Sequence, residues 1–107
     1  MDTSSRYEWD AGNLAKCQTH GVTIAEIELV LGNDPFLVPD YEHSQVEDRH
    51  IAVGANRSGR LIFVIFTLRV SDGRELLRPI SARYMHRKEI EKYGKLWRQE
   101  GPDPEDR

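Results

Sequence analysis

The sequence predicts an α+β fold: a small antiparallel β-sheet with N-terminal helices packed on one face and a C-terminal helix. Three observations predict it. The longest apolar run, Leu61-Ile62-Phe63-Val64-Ile65-Phe66, is rich in β-branched and aromatic residues and reads as a strand covered on both faces. Turn signals flank that run, Asn56-Arg57-Ser58-Gly59 before it and Ser71-Asp72-Gly73-Arg74 after it, so its neighbours fold back on it as a meander. Helix start signals stand before the meander, and a helical stripe follows it.

Taken in order, residues 1–6 are polar and read as a disordered N-terminus. Tyr7-Glu8-Trp9 is short and aromatic and suits a first strand. Asp10 is placed to cap a helix over residues 11–19, with Leu14, Ala15 and Cys17 on its apolar side. His20-Gly21 stops that helix, glycine for its left-handed conformation and histidine for the helix dipole. Thr23-Ile24-Ala25-Glu26 fits a capping box, with Val22 as its hydrophobic staple. Ile24, Ile27, Val30 and Leu31 then recur on one helical face until Gly32-Asn33-Asp34-Pro35 ends the helix.

Phe36-Leu37-Val38, followed by Pro39, reads as an edge strand. Residues 39–48 are polar and acidic and read as a loop, and residues 49–56 as a strand. After the central strand a third one spans residues 76–83, where Pro79 cannot donate to a ladder and predicts a bulge or a one-sided edge. Residues 85–97 form the last helix, with His86, Ile90, Tyr93 and Trp97 in one stripe and with Gly94 predicted to weaken and shorten it. This order places the helices on one face of the sheet. A single domain over residues 7–98 and an acidic, proline-containing disordered tail over residues 99–107 complete the reading.

With 107 residues the chain can bury a modest core. Its one cysteine, Cys17, excludes an intrachain disulfide. No stretch qualifies as a signal peptide or a membrane span, so the expectation is a soluble, cytoplasmic protein. The formal net charge of −3 hides a split: residues 57–98 carry eleven Lys/Arg against four Asp/Glu, or +7. Such a half suits a polyanion-binding face, though solubility alone would also explain it.

Four groups of residues could carry chemistry. Lys16 and His20, four apart, suit proton transfer and phosphate binding, or equally a helix-capping histidine beside a solvated lysine. Glu47 and Arg49 alternate onto one face, which suits a base beside a phosphate clamp or a plain cross-strand ion pair. Arg83 stands at a strand end just before a helix N-terminus, where guanidinium and backbone amides together favour an anion, or where the arginine simply packs over the sheet edge. Cys17 and His20, with His43, His50 and Glu47, lack a second ligand pair, so no metal site and no cofactor are expected.

These residues carry a resemblance. Glu8-Trp9-Asp10, Asn13, Lys16, His20-Gly21-Val22, Asp34-Pro35, Glu47-Asp48-Arg49, Gly54, Gly59-Arg60, Phe66-Thr67 with Arg69, Ile80-Ser81-Ala82-Arg83, and a closing helix with Glu89 or Glu91 and Tyr93 resemble in order the BrnT family, the toxin half of BrnT/BrnA type II toxin–antitoxin pairs. The resemblance implies a RelE/ParE-like fold and a metal-independent endoribonuclease that inhibits translation. It implies an RNA substrate and a BrnA-like antitoxin, with a homodimer or a heterotetramer as the open assemblies. Lys16, His20, Glu47, Arg49 and Arg83 fall on its polar positions. Glu47 or His20 would be the base, Lys16 or His20 the acid, and Arg49 and Arg83 the phosphate clamp. Arg60, Arg69, Arg78, Arg87 and Lys88 would hold the RNA backbone. A non-catalytic module that binds nucleic acid or a partner, and a gyrase-directed toxin on the same fold, are the alternatives.

Overall fold

The computed structural model describes residues 6–39 and 48–100. Its elements are α1 (Ala11–Cys17), α2 (Ile24–Gly32), β1 (Phe36–Pro39), β2 (Arg49–Ala55), β3 (Leu61–Ser71), β4 (Arg74–Tyr84) and α3 (Arg87–Glu100). The four strands form one antiparallel sheet in the order β1-β2-β3-β4, as a meander demands.

Each start and turn has a local cause. Asp10 caps α1 by accepting from the Asn13 amide at 3.0 Å, while Asn13 Oδ1 accepts from the Asp10 amide at 2.7 Å. Thr23 and Glu26 do the same for α2. At the first hairpin, Asn56 Oδ1 accepts from the amides of Ser58 and Arg60, and Gly59 takes φ +84°. At the second, Asp72 and Gly73 both have positive φ, 53° and 76°, the two-residue turn whose twist matches that of paired strands.

β3 is inside the sheet, and its alternate residues feed two cores. Ile62, Val64 and Phe66 face α1 and α2 and pack with Cys17, Val22, Ile27 and Val30. Leu61 and Phe63 face the other way and pack with Val53, Met85 and Tyr93 of α3. Helices therefore stand on both faces, where the sequence reading put them on one. The reason is Tyr93: alone among the described members of the predicted stripe it docks edge-on to Phe63, 5.2 Å between centroids, while Ile90 and His86 are exposed.

Other differences are local. Tyr7 forms only a single parallel bridge to Leu77, on the outer edge of β4, rather than a strand. α1 stops at Cys17 and buries Asn13 and Cys17, leaving Ala15 exposed. β3 and β4 extend to eleven residues each. Gly94 is buried and does not shorten α3, which reaches Glu100. The predicted disordered ends and most of the acidic loop (residues 1–5, 40–47 and 101–107) lie outside the described residues.

The bulge expected near Pro79 is present. Register shifts between Ile65 and Phe66: Phe66 stands opposite Pro79 and Ile65 opposite Ser81, so Ile80 is the extra residue. Asn13 braces it, Nδ2 donating to the carbonyls of Pro79 and Glu8, both at 2.9 Å.

Two expectations follow. Asn13→Ala strips partners from a buried carbonyl and from the cap, and costs about 1–3 kcal/mol, read as a lower urea midpoint; an unchanged midpoint would deny the brace. Gly54→Ala places a Cβ 3.0 Å from Val30 Cγ1 at the α2–β2 contact, so overpacking costs about 1–3 kcal/mol in the same measurement.

Candidate functional site

The bulge decides which way the end of β4 points. Before it, Arg78 stands opposite Thr67; after it, Ser81 and Arg83 stand opposite Ile65 and Phe63. All of these lie on the α3 side of the sheet. The side chains of Ile51, Phe63, Ile65, Ser81, Arg83, Glu89 and Tyr93, joined by His20, line a cleft of about 310 Å³ on that side. His20 reaches it from the turn after α1, beside β4 at the sheet edge.

Arg83 is the most constrained charge in the cleft. Its Nη1 and Nη2 donate to Oε1 and Oε2 of Glu89 at 2.7 and 2.6 Å, a bidentate fork. Nη1 also donates to the Tyr84 carbonyl at 3.5 Å. The guanidinium carbon lies 4.8 Å from the centroid of the Phe63 ring. Glu89 Oε1 in turn accepts from the His86 amide at 2.9 Å, so the carboxylate caps α3 and grips Arg83 together. The fork holds the Glu89 carboxyl down at about 2 and raises the Arg83 guanidinium further. The helix amide expected to join Arg83 in holding an anion is thus already engaged by Glu89.

The sequence-predicted residues divide. His20 and Arg83 share the cleft. Arg49 is half-buried on β2 opposite Thr67, two residues from Ile51 and on the same sheet face. Glu47 and His43 lie outside the described residues. Lys16 is elsewhere, exposed on α1 in a shallow pocket with Arg69 and Arg78. The i, i+4 argument for Lys16 and His20 fails because α1 ends at Cys17, and His20 sits in a turn beyond it. Cys17 is fully buried in the core, its thiol pushed up to about 11 by burial. Among the described residues no three of His, Cys, Asp and Glu gather as metal ligands.

Of the cations expected along an RNA backbone, Arg87, Lys88 and Arg69 are exposed. Arg78 bridges Glu8 and Asp10, at 3.0 Å each. Arg60 stacks 3.7 Å over the Tyr84 ring, whose hydroxyl donates to Glu26 at 2.8 Å, so it belongs to a network at the hairpin turn. Sequence reasoning has Glu89 and Tyr93 only as members of the family pattern, and does not foresee that they line the cleft together with Phe63. The available signal for Glu89 was its spacing: three residues after His86, at the N3 position where a carboxylate folds back on a helix start.

Compared with known families, the chain matches over residues 9–89 the profile described as "Ribonuclease toxin, BrnT, of type II toxin-antitoxin system". A search of curated proteins finds no match.

The Arg83–Glu89 fork also predicts an acid response. The carboxyl is depressed in the fold, to about 2 from an ordinary 4.5, so its contribution is complete above the ordinary value and lost as pH falls towards the depressed one. Urea midpoints of the wild type should therefore drop on acidification from about pH 5 to pH 2.5 more than those of Glu89→Gln. Parallel pH profiles would contradict the assignment.

Proposed function

The chain belongs to the BrnT family of ribonuclease toxins of type II toxin–antitoxin systems, and from that premise we propose that it cleaves RNA in the cleft lined by His20, Ser81 and Arg83. The observation that carries this reading is the meeting of an imidazole and a fixed guanidinium in one cleft on the α3 side of the sheet. The apolar lining of the cleft is formed by Ile51, Phe63, Ile65 and Tyr93. A phosphodiester at Arg83 would bring an unpaired base to this apolar lining.

The reaction we propose is transesterification. The 2′-hydroxyl gives up its proton and its oxygen bonds to phosphorus. The bond from phosphorus to the 5′-oxygen breaks, and that oxygen takes a proton, leaving a 2′,3′-cyclic phosphate and a 5′-hydroxyl. Arg83 would hold the non-bridging oxygens, since a planar cation matches two oxygens and stays charged throughout. His20 would carry one of the two proton transfers, since its imidazole lines the same cleft as Arg83. Glu47 is proposed for the other, with Arg49 on the same sheet face as Ile51 adding positive charge. Lys16 would act at a distance from the chemistry, holding the strand in the pocket it shares with Arg69 and Arg78.

The finer reading is a metal-independent toxin of RelE/ParE-like fold, acting in the cytoplasm, lowering translation and neutralised by a BrnA-like antitoxin. The family membership, the four-stranded antiparallel sheet and a cleft that brings its own cation to the phosphate support it.

Purified protein should cut labelled single-stranded RNA equally well with and without EDTA. Arg83→Ala should keep a cooperative melt but lose at least about a hundredfold in cleavage, the usual cost of removing a donor to a developing anion. RNA retention without cleavage, or full activity in a folded Arg83→Ala protein, would overturn the reading. Loss on chelation would overturn its metal independence.

A further inference from the structure

Resting on that ribonuclease reading, we propose that Glu89 is the positioning residue of the reaction: it grips Arg83 end-on and so presents the neighbouring side-on edge of the guanidinium to an RNA phosphodiester. A guanidinium has five N–H groups. Glu89 takes one from Nη1 and one from Nη2, and the Tyr84 carbonyl takes another from Nη1. What is left is the Nε–H and the second Nη2–H. These two are parallel, coplanar and on one edge, the side-on fork that matches two oxygens of a phosphate. Among the described residues neither makes a hydrogen bond.

Three contacts fix the direction of that edge. The α3 start holds Glu89 through the His86 amide at 2.9 Å. Glu89 holds the two terminal nitrogens of Arg83. The Phe63 ring lies under the guanidinium, 4.8 Å from its carbon to the ring centroid, and backs it on one side. The chain of contacts therefore runs from a helix terminus through a carboxylate and a guanidinium to the bound phosphate. Glu89 is not suited to be a base itself, because a carboxyl held at about 2 takes up a proton poorly near neutrality. Nor must it leave when phosphate arrives, because the carboxylate and the phosphate use different edges of Arg83.

The test uses the full chain and two probes of one sequence: a 2′-deoxy oligonucleotide, which lacks the attacking hydroxyl, and its RNA counterpart. The Arg83 Nε–H resonance, assigned by its loss in Arg83→Lys, should be sharp in the wild type and shift when the deoxy oligonucleotide is added. In Glu89→Gln it should broaden and respond weakly. With RNA, Glu89→Gln should lose about a hundredfold in kcat, the scale expected of a misplaced catalytic group, with KM little changed. Arg83→Lys, which keeps the charge but lacks the fork, should show a comparable loss. Combining it with Glu89→Gln should add nothing, since both act through one contact.

A Glu89→Gln protein with wild-type kcat and an unchanged Nε–H signal overturns the proposal. So does one that binds or cuts better, since Glu89 would then be a competitor for the phosphate. A wild type that cuts RNA while its Nε–H ignores the deoxy oligonucleotide sinks the positioning claim and spares the ribonuclease reading. A wild type that cuts nothing, but whose Nε–H shifts in a Glu89-dependent way, sinks the ribonuclease reading and spares the positioning of a phosphate-holding arginine.

Discussion

One extra residue in β4 governs the geometry of the cleft. Were the β3–β4 register uninterrupted from Phe66–Pro79 onward, Arg83 would fall opposite Ile62 and aim at the core shared with α1 and α2. The bulge at Ile80 inverts the alternation, and Ser81 and Arg83 come out opposite Ile65 and Phe63 on the α3 side. Period-two side-chain geometry makes this all or none: a slip of one residue moves every later side chain to the other face. Pro79 makes the ladder easy to break here, because it has no amide to contribute. Asn13 makes the broken form stable, because it bonds the Pro79 carbonyl from 66 residues away in sequence. A cap residue of the first helix and an arginine at the end of the last strand are thereby parts of one device.

Much of the fold was legible because its causes are local. Both N-caps, the positive φ of Gly21, the two hairpin turns and the doubly covered strand each follow from a few adjacent residues. What could not be read depended on contacts made at a distance. The face chosen by α3 hangs on Tyr93 meeting Phe63, thirty residues earlier in the chain. The candidate site was legible in its residue types and less so in its grouping. Lys16 and His20 were joined by a helical period that no longer applies once α1 has ended at Cys17. His20 and Arg83 were read as separate candidates, yet folding brings them to one cleft.

The charge asymmetry of the sequence also changes meaning in three dimensions. Residues 57–98 carry a surplus of +7, but several of those cations are engaged within the protein. Arg78 serves Glu8 and Asp10, Arg83 serves Glu89, and Arg60 lies on Tyr84. The first of these pairings draws on acidic residues near the start of the chain, so the two oppositely charged halves partly close on each other. Net charge by segment measures what a chain could offer a polyanion. The fold decides how much of it is offered, and the partly spared edge of Arg83 shows that a cation can serve a carboxylate and keep donors in reserve.

The single thiol of the chain has an experimental use that follows from its burial. Cys17 is fully enclosed between α1 and the sheet, and its thiol is pushed up to about 11. Both properties suppress its reaction with alkylating reagents while the protein is closed. Modification must then wait for the core around α1 to open, and its rate measures how often that happens. With no second cysteine to confuse the signal, the protein carries its own gauge of breathing at the end of the helix that braces the β4 bulge.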